Sequence, residues 1–430
     1  GVERATKLMI ELKLKGRRYF QFHLQTLNGE LKGMEESIDL LPKIAKEGIS
    51  IDGSSIGIAD VNSSDVRIHP DWNTYAEYSV DGDPVDRCLC VIKYKGKPHP
   101  GCLRSLMLNQ LENADKMGYK CSMFGEIEWY FFNEKDRTPH DKGGYCALPP
   151  RDKAQKIRHE IGDALEKAGC LVKRIHHENG PGQNEVELKL APAMKNADDL
   201  TTSFAIISSI GSAHNLIADF MPKPIKDEAG SGFHQHFALY DKNTGKNVFG
   251  IDWKDGQRPN DLLTDIGKYF IGGLLAHAPE ITAAFGRDEQ TFQRLVPGHE
   301  APCFVCWGFS NRTALVRIPD ASSPQDCRIE YRGGDASGSH YIMCAVMLAA
   351  GLDGIEKKLP CPAPIEENAD LMTKEELEKK GIKILPKSKE ECKKIINESN
   401  FCFDANNNFF VKTEKEFTTP NFLLQPKINK

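Results

Sequence analysis

The sequence predicts an α+β fold, in which helices cover an antiparallel or mixed sheet. One reason is a hairpin signal: apolar and polar residues alternate in "RYFQFHLQ", and the turn dipeptide Asn28-Gly29 follows. The other reason is the order of segments over residues 103–241. There, stretches of helical periodicity take turns with short alternating stretches such as "NEVELKL" and "HQHFALYD". That order favours a sheet with helices packed against it.

A break rich in proline and glycine divides the chain into two predicted domains. The stretch "YKGKPHPG" separates a strand in "CLCVIKYKGKP" from the apolar-periodic "LRSLMLNQLENADKMG". We therefore expect residues 1–99 to form a small β-rich domain, which includes a short helix ending near Gly48. Residues 100–430 form the second domain, and 430 residues suffice for two cores.

Capping residues mark several helices of the second domain. Asp152 is the predicted cap of a helix with one apolar stripe, and Gly169 is its predicted end. The run "DDLTTSFAIISSIGSAHNLIADF" is long and apolar enough for a buried helix. Near the C-terminus, capping boxes at 373–376 and 388–391 predict two short helices.

Charge and cysteine usage exclude several classes of protein. A formal net charge of −5 argues against a general nucleic-acid binder. The thirteen cysteines are scattered, so reduced thiols are expected, and a zinc or redox site at the CxxC of Cys303 and Cys306 is the less favoured interpretation. The opening residues lack a signal-peptide core, and no apolar run approaches the roughly 20 residues of a membrane span. We expect a soluble, cytoplasmic protein.

Paired polar residues carry the chemistry. In "GEIEWYFF", Glu126 and Glu128 are two places apart in an apolar run, so both face one side of a strand. Buried carboxylates require a cation or hydrogen-bond donors. Four other stretches supply similar residues: Glu178 and Glu185 in "HHENGPGQNE", His234 and His236 in "GSGFHQH", Arg328, Glu330 and Arg332 in "CRIEYR", and Arg294, Glu300, Arg312 and Arg317 in "RLVPGHE" and "NRTALVR".

Carboxylates joined by a histidine are typical ligands of a hard divalent cation such as Mg²⁺ or Mn²⁺. The many arginines need an anion, and a metal with arginines is the usual clamp for a phosphoryl group. These residues indicate an ATP-using enzyme with an anionic cosubstrate. Taken singly, each motif also fits a plainer interpretation: a solvated glutamate face, a cross-strand ion-pair ladder, or packing roles for His176 and His177. No Walker-type P-loop is present in the sequence.

The motifs, taken in chain order, resemble those of the glutamine synthetase family, in its bacterial and archaeal form. The resemblance runs from about residue 12 to residue 395 and rests on the following stretches: "DGSSI", "GEIEWY", "KGGY", "HHENGPGQNE", "FMPKP", "GSGFHQH", "GGLLAHAPEITA", "RLVPGHEAP", "NRTALVRIP", "RIEYR" and "AGLDGI". It implies a β-grasp N-terminal domain and a catalytic domain with a curved antiparallel sheet. It also implies a dodecamer of two hexameric rings, in which Asp52 acts in the site of a neighbouring subunit.

The resemblance assigns a role to each matched residue. The implied ligands of two Mg²⁺ or Mn²⁺ ions per site are Glu128, Glu178 and Glu185 for one ion and Glu126, His234 and Glu330 for the other. The implied glutamate-binding residues are Arg294, Arg332 and Gly230. The implied ammonium pocket comprises Asp52, Ser55, Tyr145 and Glu178. The implied ATP-side residues are His236, Arg317 and Arg328, and the implied catalytic residues are Asp52, Glu300 and Arg312.

The implied reaction joins ammonia to the γ-carboxylate of glutamate at the expense of ATP. The γ-carboxylate first becomes a γ-glutamyl phosphate, and ammonia, freed of a proton by Asp52, then attacks it. Two alternatives stay open. Ala229 occupies a position where the family usually has asparagine, which is compatible with a γ-glutamyl-amine or polyamine ligase. A non-catalytic structural homologue is the other alternative.

Overall fold

The N-terminal part of the chain forms a mixed sheet of six strands. The computed structural model describes residues 1–26, 29–59, 61–254, 257, 259–286, 288–298, 301–402, 411–412 and 417–418. The strands are β1 (Tyr19–Gln25), β2 (Leu31–Ser37), β3 (Ile49–Asp52), β4 (Asp65–Val80), β5 (Asp83–Tyr94) and β6 (Lys97–Pro98). Their order is β2-β1-β5-β4-β3, with β6 beside β5; β1 and β5 run parallel and the other pairs antiparallel.

Two helices, α1 (Val2–Leu14) and α2 (Leu41–Glu47), pack on this sheet. Ala5, Leu8 and Leu12 of α1 share one core with Phe20 and Phe22 of β1. The predicted hairpin is confirmed by the antiparallel pairing of β1 with β2, although Asn28 itself lies outside the described residues. The predicted end of α2 is also confirmed, because Gly48 follows the helix with a φ of 69° that suits glycine.

A nine-stranded, mostly antiparallel sheet organises the rest of the chain. Its strands are β7 (Tyr119–Asn133), β8 (Val172–His177), β9 (Gln183–Leu188), β10 (Ala191–Pro192), β11 (Leu216–Asp219), β12 (Phe233–Asp241), β14 (Trp307–Phe309), β15 (Val316–Ile318) and β16 (Ile329–Gly334). The order is β14-β15-β16-β12-β7-β9-β8, and β10 and β11 both pair with β7. Two small sheets pair β13 (Phe304–Val305) with β17 (Lys383–Ile384) and β18 (Val411–Lys412) with β19 (Phe417–Thr418).

The helices of this part of the chain are α3 (Leu103–Lys116), α4 (Gln155–Lys167), α5 (Ala193–Ala213), α6 (Asp265–Ala276), α7 (Ala278–Phe285), α8 (Glu289–Arg294), α9 (His340–Lys357), α10 (Lys374–Lys379) and α11 (Lys389–Glu398). Those from α3 to α7, together with α9, cover the back of the large sheet. Ile127, Trp129 and Phe131 of β7 are fully buried in the core that these helices share with the sheet. Residues at the odd positions of β7 thus form the core, which leaves Glu126 and Glu128 for the opposite face. The predicted α+β fold is confirmed.

Ion pairs join the two sheets through the helices. The Arg104 guanidinium on α3 donates to the Asp71 carboxylate on β4 and to the Asp198 carboxylate on α5, with N···O distances of 2.9 Å. Ala76 and Tyr78 at the far end of β4 belong to the larger core. The chain leaves the first sheet at Pro98 and enters the second at Tyr119, and the predicted domain boundary lies in this interval.

Two local predictions need correction. Asp152 is not the cap of α4, which follows Ala154; its carboxylate accepts from the Ala154 N–H and pairs with Arg158. The box at 373–376 forms in full, but at 388–391 the Glu391 carboxylate accepts from Lys387 N–H, so only half of that box forms.

Within the described ranges, no helix combines the length and apolarity needed to cross a bilayer.

Candidate active site

A cavity of about 440 Å³ opens on the face of the large sheet that the helices leave free. It is lined mainly by polar residues from six strands, namely β7, β8, β9, β12, β15 and β16, together with Arg294 of α8 and residues of the loops. Fourteen residues singled out in the sequence line it: Glu126, Glu128, Tyr145, Glu178, Glu185, Gly230, His234, His236, Arg294, Arg312, Arg317, Arg328, Glu330 and Arg332. Residues as far apart in the sequence as Glu126 and Arg332 therefore share one space.

Strand register explains why these side chains meet. Glu128 on β7 is the cross-strand partner of Glu185 on β9, which in turn is the partner of His176 on β8. Glu126 on β7 is the partner of His234 on β12. Cross-strand partners point to the same face and lie about 5 Å apart. A second row runs through Arg317, Glu330 and His236.

Glu126 is the centre of the first acid cluster. Its carboxylate lies 2.8 Å from His234 Nδ1 and 3.0 Å from His236 Nε2. Burial opposes ionisation of Glu126, but the hydrogen bonds from these two imidazoles bring its pKa well below the usual value. Ligand atoms of Glu126, His236 and Glu330 lie within 4.8 Å of one another, the spacing of a metal site. His236 thus joins this group, together with the His234 that the resemblance assigned to it.

Tautomers follow from the partners of each imidazole. Burial, with help from the Arg332 charge, lowers the pKa of His234, so its ring is neutral. Nδ1 donates to Glu126, which leaves the lone pair on Nε2. Arg328 Nε donates to Nδ1 of His236 over 3.3 Å, and Nε2 of His236 therefore donates to Glu126. The His236 ring is stacked on Phe124 with centroids 4.1 Å apart.

Two arginines form ion pairs with Glu330. Its carboxylate is 2.7 Å from Arg317 Nη1 and 2.9 Å from Arg332 Nη1. Burial would raise the pKa of Glu330, but the Arg332 charge outweighs burial and lowers the pKa to about 2. Among the described residues, the buried Nε atoms of Arg317 and Arg332 have no hydrogen-bond partner. Buried donors of this kind are costly unless a ligand accepts from them.

The second acid cluster crowds buried carboxylates together. Burial and the charges of Glu185 and Glu178 raise the pKa of Glu128 well above its usual value. Burial and the neighbouring glutamates also raise the pKa of Glu185. Ligand atoms of His176, Glu178 and Glu185 lie within 4.8 Å of one another. Crowded carboxylates that take up protons fit a site built for a divalent cation.

A tyrosine beneath a glycine turn supports the loop at residues 229–232. The Tyr130 hydroxyl donates to the Ala229 carbonyl over 2.6 Å. Gly180 lies directly over that hydroxyl, since a Cβ there would be 1.8 Å from the Tyr130 oxygen. Gln183 Nε2 donates to the Gly230 carbonyl over 3.0 Å. The backbone of the loop is thus held at two successive carbonyls.

Arg294 is fully enclosed at the same end of the cavity. Its guanidinium donates to the carbonyls of Gly333 and Arg332 over 3.2 Å. Burial lowers its pKa, although the nearby Asp335 carboxylate opposes that shift. The cation is therefore poorly compensated and suited to receiving a carboxylate.

Tyr145 lies at the rim on a loop that is anchored from below. Its ring meets His176 edge-on, with centroids 5.6 Å apart. Below it, His177 Nε2 is 2.8 Å from the Asp141 carboxylate. Burial would raise the pKa of Asp141, but hydrogen bonds from His177 and from backbone N–H groups lower it. Burial alone would lower the pKa of His177, but the hydrogen bond to Asp141 raises it.

Asp52 and Ser55 do not line the cavity of their own chain. The exposed Asp52 carboxylate accepts from Ser54 N–H at 2.9 Å and from the Ser54 and Ser55 hydroxyls at 2.6 Å. These side-chain hydrogen bonds, from Ser54 and then Ser55, lower its pKa to about 2. Such a carboxylate attracts a cation well but accepts a proton poorly. Glu300 lies outside the described residues.

Sequence reasoning missed several polar residues that line the cavity. Lys173 and Arg174 on β8 both pair with Glu187, at 2.6 and 3.6 Å. Glu187 lies two positions beyond Glu185 on β9, so the same alternation that linked Glu126 with Glu128 was the available signal. His176 was weighed only as a packing residue. Asn179 and Gln183 also line the cavity and had no motif of their own.

The two cysteines of the CxxC motif are core residues. All thirteen are free thiols, and Cys303 and Cys306 are buried beside Phe304 and Ala314. Burial raises the pKa of Cys303 to about 12 and that of Cys306 to about 11. Thiols with such values are inert core residues.

The architecture and the cavity together define an enzyme that handles anionic groups beside clustered carboxylates. Residues 18–95 match the glutamine synthetase β-grasp domain family, and residues 100–414 match the glutamine synthetase catalytic domain family. The glutamine synthetase of Thermotoga maritima is 37% identical over 397 residues, 90% of this chain and 89% of that protein. That of Pyrococcus furiosus is 35% identical over 95% of this chain and 92% of that protein.

Solved structures give the same answer for the fold. A cryo-EM structure of Plasmodium falciparum glutamine synthetase has a TM-score of 0.77 and 26% identity, covering 84% of this chain and 77% of that one. A GmaS/ADP complex has a TM-score of 0.83 and 22% identity, covering 93% of each chain, and it bears on the fold alone. The chain belongs to the glutamine synthetase family. It is an enzyme of that family, and the predicted β-grasp and catalytic architecture is confirmed.

Proposed function

We propose that the protein joins ammonia to the γ-carboxylate of L-glutamate with ATP, by way of γ-glutamyl phosphate, to give glutamine. In the first step a γ-carboxylate oxygen attacks the terminal phosphorus of ATP and ADP leaves. In the second step ammonia attacks the acyl carbon and phosphate leaves. The observation that supports this proposal most strongly is the single cavity in which two acid clusters meet Arg294, Arg317 and Arg332.

The acid clusters suit two divalent cations. Burial and mutual repulsion raise the pKa values of Glu128 and Glu185, and a bound Mg²⁺ or Mn²⁺ ion would supply the positive charge that keeps both carboxylates ionised. Glu128, Glu178 and Glu185 would hold one ion, with His176 at hand. Glu126, His234 and Glu330 would hold the other, with His236 beside them. When bound, such ions neutralise phosphate oxygens and the charge that develops during phosphoryl transfer.

The arginines would bind the two anionic substrates. Arg294 and Arg332 would bind the carboxylates of glutamate, whose amino group would reach the Gly230 carbonyl. Arg312 and Arg317 would contact the transferring phosphoryl group. The unpartnered Nε atoms of Arg317 and Arg332 support this division, because both are buried donors at the cavity. His236 and Arg328 would face the nucleotide.

The acceptor ammonium would bind between Tyr145 and Glu178, with Asp52 and Ser55 from a neighbouring subunit. The exposed, anionic Asp52 carboxylate supports a role in attracting the cation. This arrangement requires an oligomer, and we propose a dodecamer of two hexameric rings. Glu300 would close over the intermediate to exclude water. Thirteen free thiols fit a reducing compartment, and we place the reaction in the cytoplasm.

The test is product identification. Purified protein is incubated with ATP, glutamate, Mg²⁺ and ammonium, and both phosphate and the amide are measured. We expect phosphate and glutamine in equal amounts. ATP turnover without an amide product would overturn the proposal.

A second candidate is a γ-glutamyl-amine ligase. Ala229 lines the cavity with a methyl group only, so no side-chain amide is available there to hold glutamate in the way an asparagine would. The same assay with methylamine, ethanolamine and putrescine separates the candidates. Higher kcat/KM for any of these amines than for ammonia would favour the second.

A further inference from the structure

A buried histidine and aspartate lie directly behind the acceptor pocket. The side chains of His177 and Asp141 are both fully buried, and His177 Nε2 lies 2.8 Å from Asp141 Oδ1. On the other side of the ring, His177 Nδ1 lies 2.7 Å from the Glu178 carbonyl oxygen. A carbonyl only accepts hydrogen bonds, so Nδ1 carries a proton. The ring therefore bridges Asp141 and the backbone of Glu178.

Asp141 collects donors from three separate segments. Oδ1 accepts from the N–H groups of Gly143 and Gly182, each over 3.0 Å, in addition to the histidine. Oδ2 accepts from Lys153 N–H over 3.0 Å. With donors on both oxygens the group is a carboxylate, and Nε2 of His177 donates to it. One carboxylate thus fixes both ends of the loop 141–153 and the turn before β9.

A second buried pair holds the same loop near its far end. Arg158 Nη1 donates to the Asp152 carboxylate over 3.1 Å and to Asn184 Oδ1 over 2.7 Å. Asn184 Nδ2 in turn donates to the Gly182 carbonyl over 2.9 Å. Both anchors of the loop therefore converge on the turn between β8 and β9, which follows Glu178.

The loop between these anchors carries Tyr145. The tyrosine side chain has little packing of its own, since the residue is 57% exposed. The next residue is tied from the backbone, because Cys146 N–H donates to the His177 carbonyl over 3.0 Å. The position of the Tyr145 ring is consequently set by the backbone below it. Gly143 lets the loop pass close over His177, since a Cβ there would be 2.6 Å from Nε2.

We propose that Asp141 and His177 are positioning residues for the acceptor subsite: they fix the Tyr145 loop relative to Glu178. The inference rests on the proposed function, because it assigns Tyr145 and Glu178 to the amine. A role in packing alone would be met by apolar residues, since a buried ion pair contributes little net stability. Here the polar atoms of Asp141 and His177 instead link the loop that carries Tyr145 to the backbone of Glu178 and the turn after it.

The experiment separates the two bonds of His177. In His177→Asn the side-chain N–H matches Nδ1 and keeps the bond to Glu178, whereas in His177→Gln it matches Nε2 and keeps the bond to Asp141. Asp141→Asn weakens the carboxylate anchor directly. KM values for ammonium, glutamate and ATP are measured for each variant. His277→Gln is the matched control, since His277 and Asp353 form another enclosed pair, 2.8 Å apart and outside the cavity.

We expect KM for ammonium to rise about tenfold or more in His177→Asn and Asp141→Asn, with KM for glutamate and ATP changed less than about twofold. His177→Gln should lie closer to the parent enzyme, because it retains the link to Asp141. The control should leave all three KM values unchanged. An equal rise in all three KM values, or an unchanged KM for ammonium, would overturn the inference.

Hydrogen exchange gives a readout that does not depend on turnover. Amide exchange of Gly143, Lys153 and Gly182 should accelerate in Asp141→Asn and His177→Asn but not in His277→Gln. Unchanged exchange at these amides overturns the inference whatever the enzyme does. A parent enzyme that forms no amide, together with accelerated exchange in the variants, would count against the proposed function and leave the structural link standing.

Discussion

Nδ1 of His234 lies 2.8 Å from the Glu126 carboxylate, across the antiparallel pair of β7 and β12. Because burial keeps the ring neutral, this hydrogen bond decides which nitrogen retains a lone pair, and that nitrogen is Nε2. Asparagine at this position would keep a donor near Nδ1 and lose Nε2. We expect His234→Asn to weaken Mn²⁺ binding at least about tenfold. Electron paramagnetic resonance titration measures it, with the exposed His214→Asn as control; equal affinity in the two variants would contradict the assignment.

Metal binding should release protons from the second acid cluster. Burial and mutual repulsion raise the pKa of Glu128 and Glu185, so without a cation these carboxyls retain protons at pH values where free glutamate has lost them. A cation displaces the protons, and its affinity should therefore rise with pH. Calorimetric Mg²⁺ titrations in buffers of different ionisation enthalpy measure the release. Identical heats in all buffers would refute this prediction.

Removal of Glu330 should cost stability as well as activity. The carboxylate is 1% exposed and neutralises both Arg317 and Arg332. Glu330→Ala leaves the buried Arg332 guanidinium and the partly buried Arg317 guanidinium without their partner, a loss of about 3–5 kcal/mol in the free energy of unfolding. Glu330→Gln keeps the shape and should lose activity with a smaller change in stability. Denaturant unfolding and size-exclusion chromatography compare the variants, and equal stability of Glu330→Ala and the parent would disprove the estimate.

Asp52→Ala should separate the two half-reactions. Its carboxylate is exposed and lies outside its own cavity, so phosphorylation of glutamate should persist while amide formation falls. Rapid-quench measurement of acyl phosphate alongside glutamine reports both steps. The exposed Asp83→Ala, at the start of β5, serves as control. If Asp52→Ala reduced both steps equally, Asp52 would have no special role in the second.

The contact between His277 and Phe401 should loosen as the pH rises. Burial lowers the pKa of His277, but the Glu280 carboxylate, 3.7 Å from Nδ1, and the Asp353 carboxylate, which accepts a hydrogen bond from Nε2, outweigh burial and raise the pKa above the ordinary 6.5. The stabilisation is therefore complete below about pH 6.5 and is lost as the pH rises through the higher folded value. The ring is stacked on Phe401 with centroids 3.9 Å apart. Amide exchange of residues 399–402 should rise with pH beyond the intrinsic rate, and in His277→Gln this extra increase should vanish; equal profiles would contradict it.

Local patterns predicted elements well where one face of each is buried. Phe20 and Phe22 alternate with polar residues, and β1 forms there; Gly48 ends α2 because its backbone conformation suits glycine. The prediction for Asp152 went wrong because its carboxylate has a stronger partner in Arg158, six residues on. A capping motif alone does not show which of two nearby groups the side chain of the capping residue will bind.

The candidate site was predictable only in part. Spacing of two along a strand placed Glu126 with Glu128, because alternation is a local property. The pairing of Asp141 with His177 spans 36 residues and depends on how two loops cross, so no spacing rule reveals it. Lys173 and Arg174 fall in the same category: their partner Glu187 lies on the next strand, and register across strands is a tertiary property.

Gly180 limits which substitutions are compatible with the position of the loop at residues 229–232. A methyl group at that position would collide with the Tyr130 hydroxyl, so the ring would have to withdraw from the Ala229 carbonyl. Any redesign of substrate specificity at residue 229 therefore has to leave both Gly180 and Tyr130 unchanged. In a saturation library, position 180 should tolerate no replacement even where position 229 accepts many.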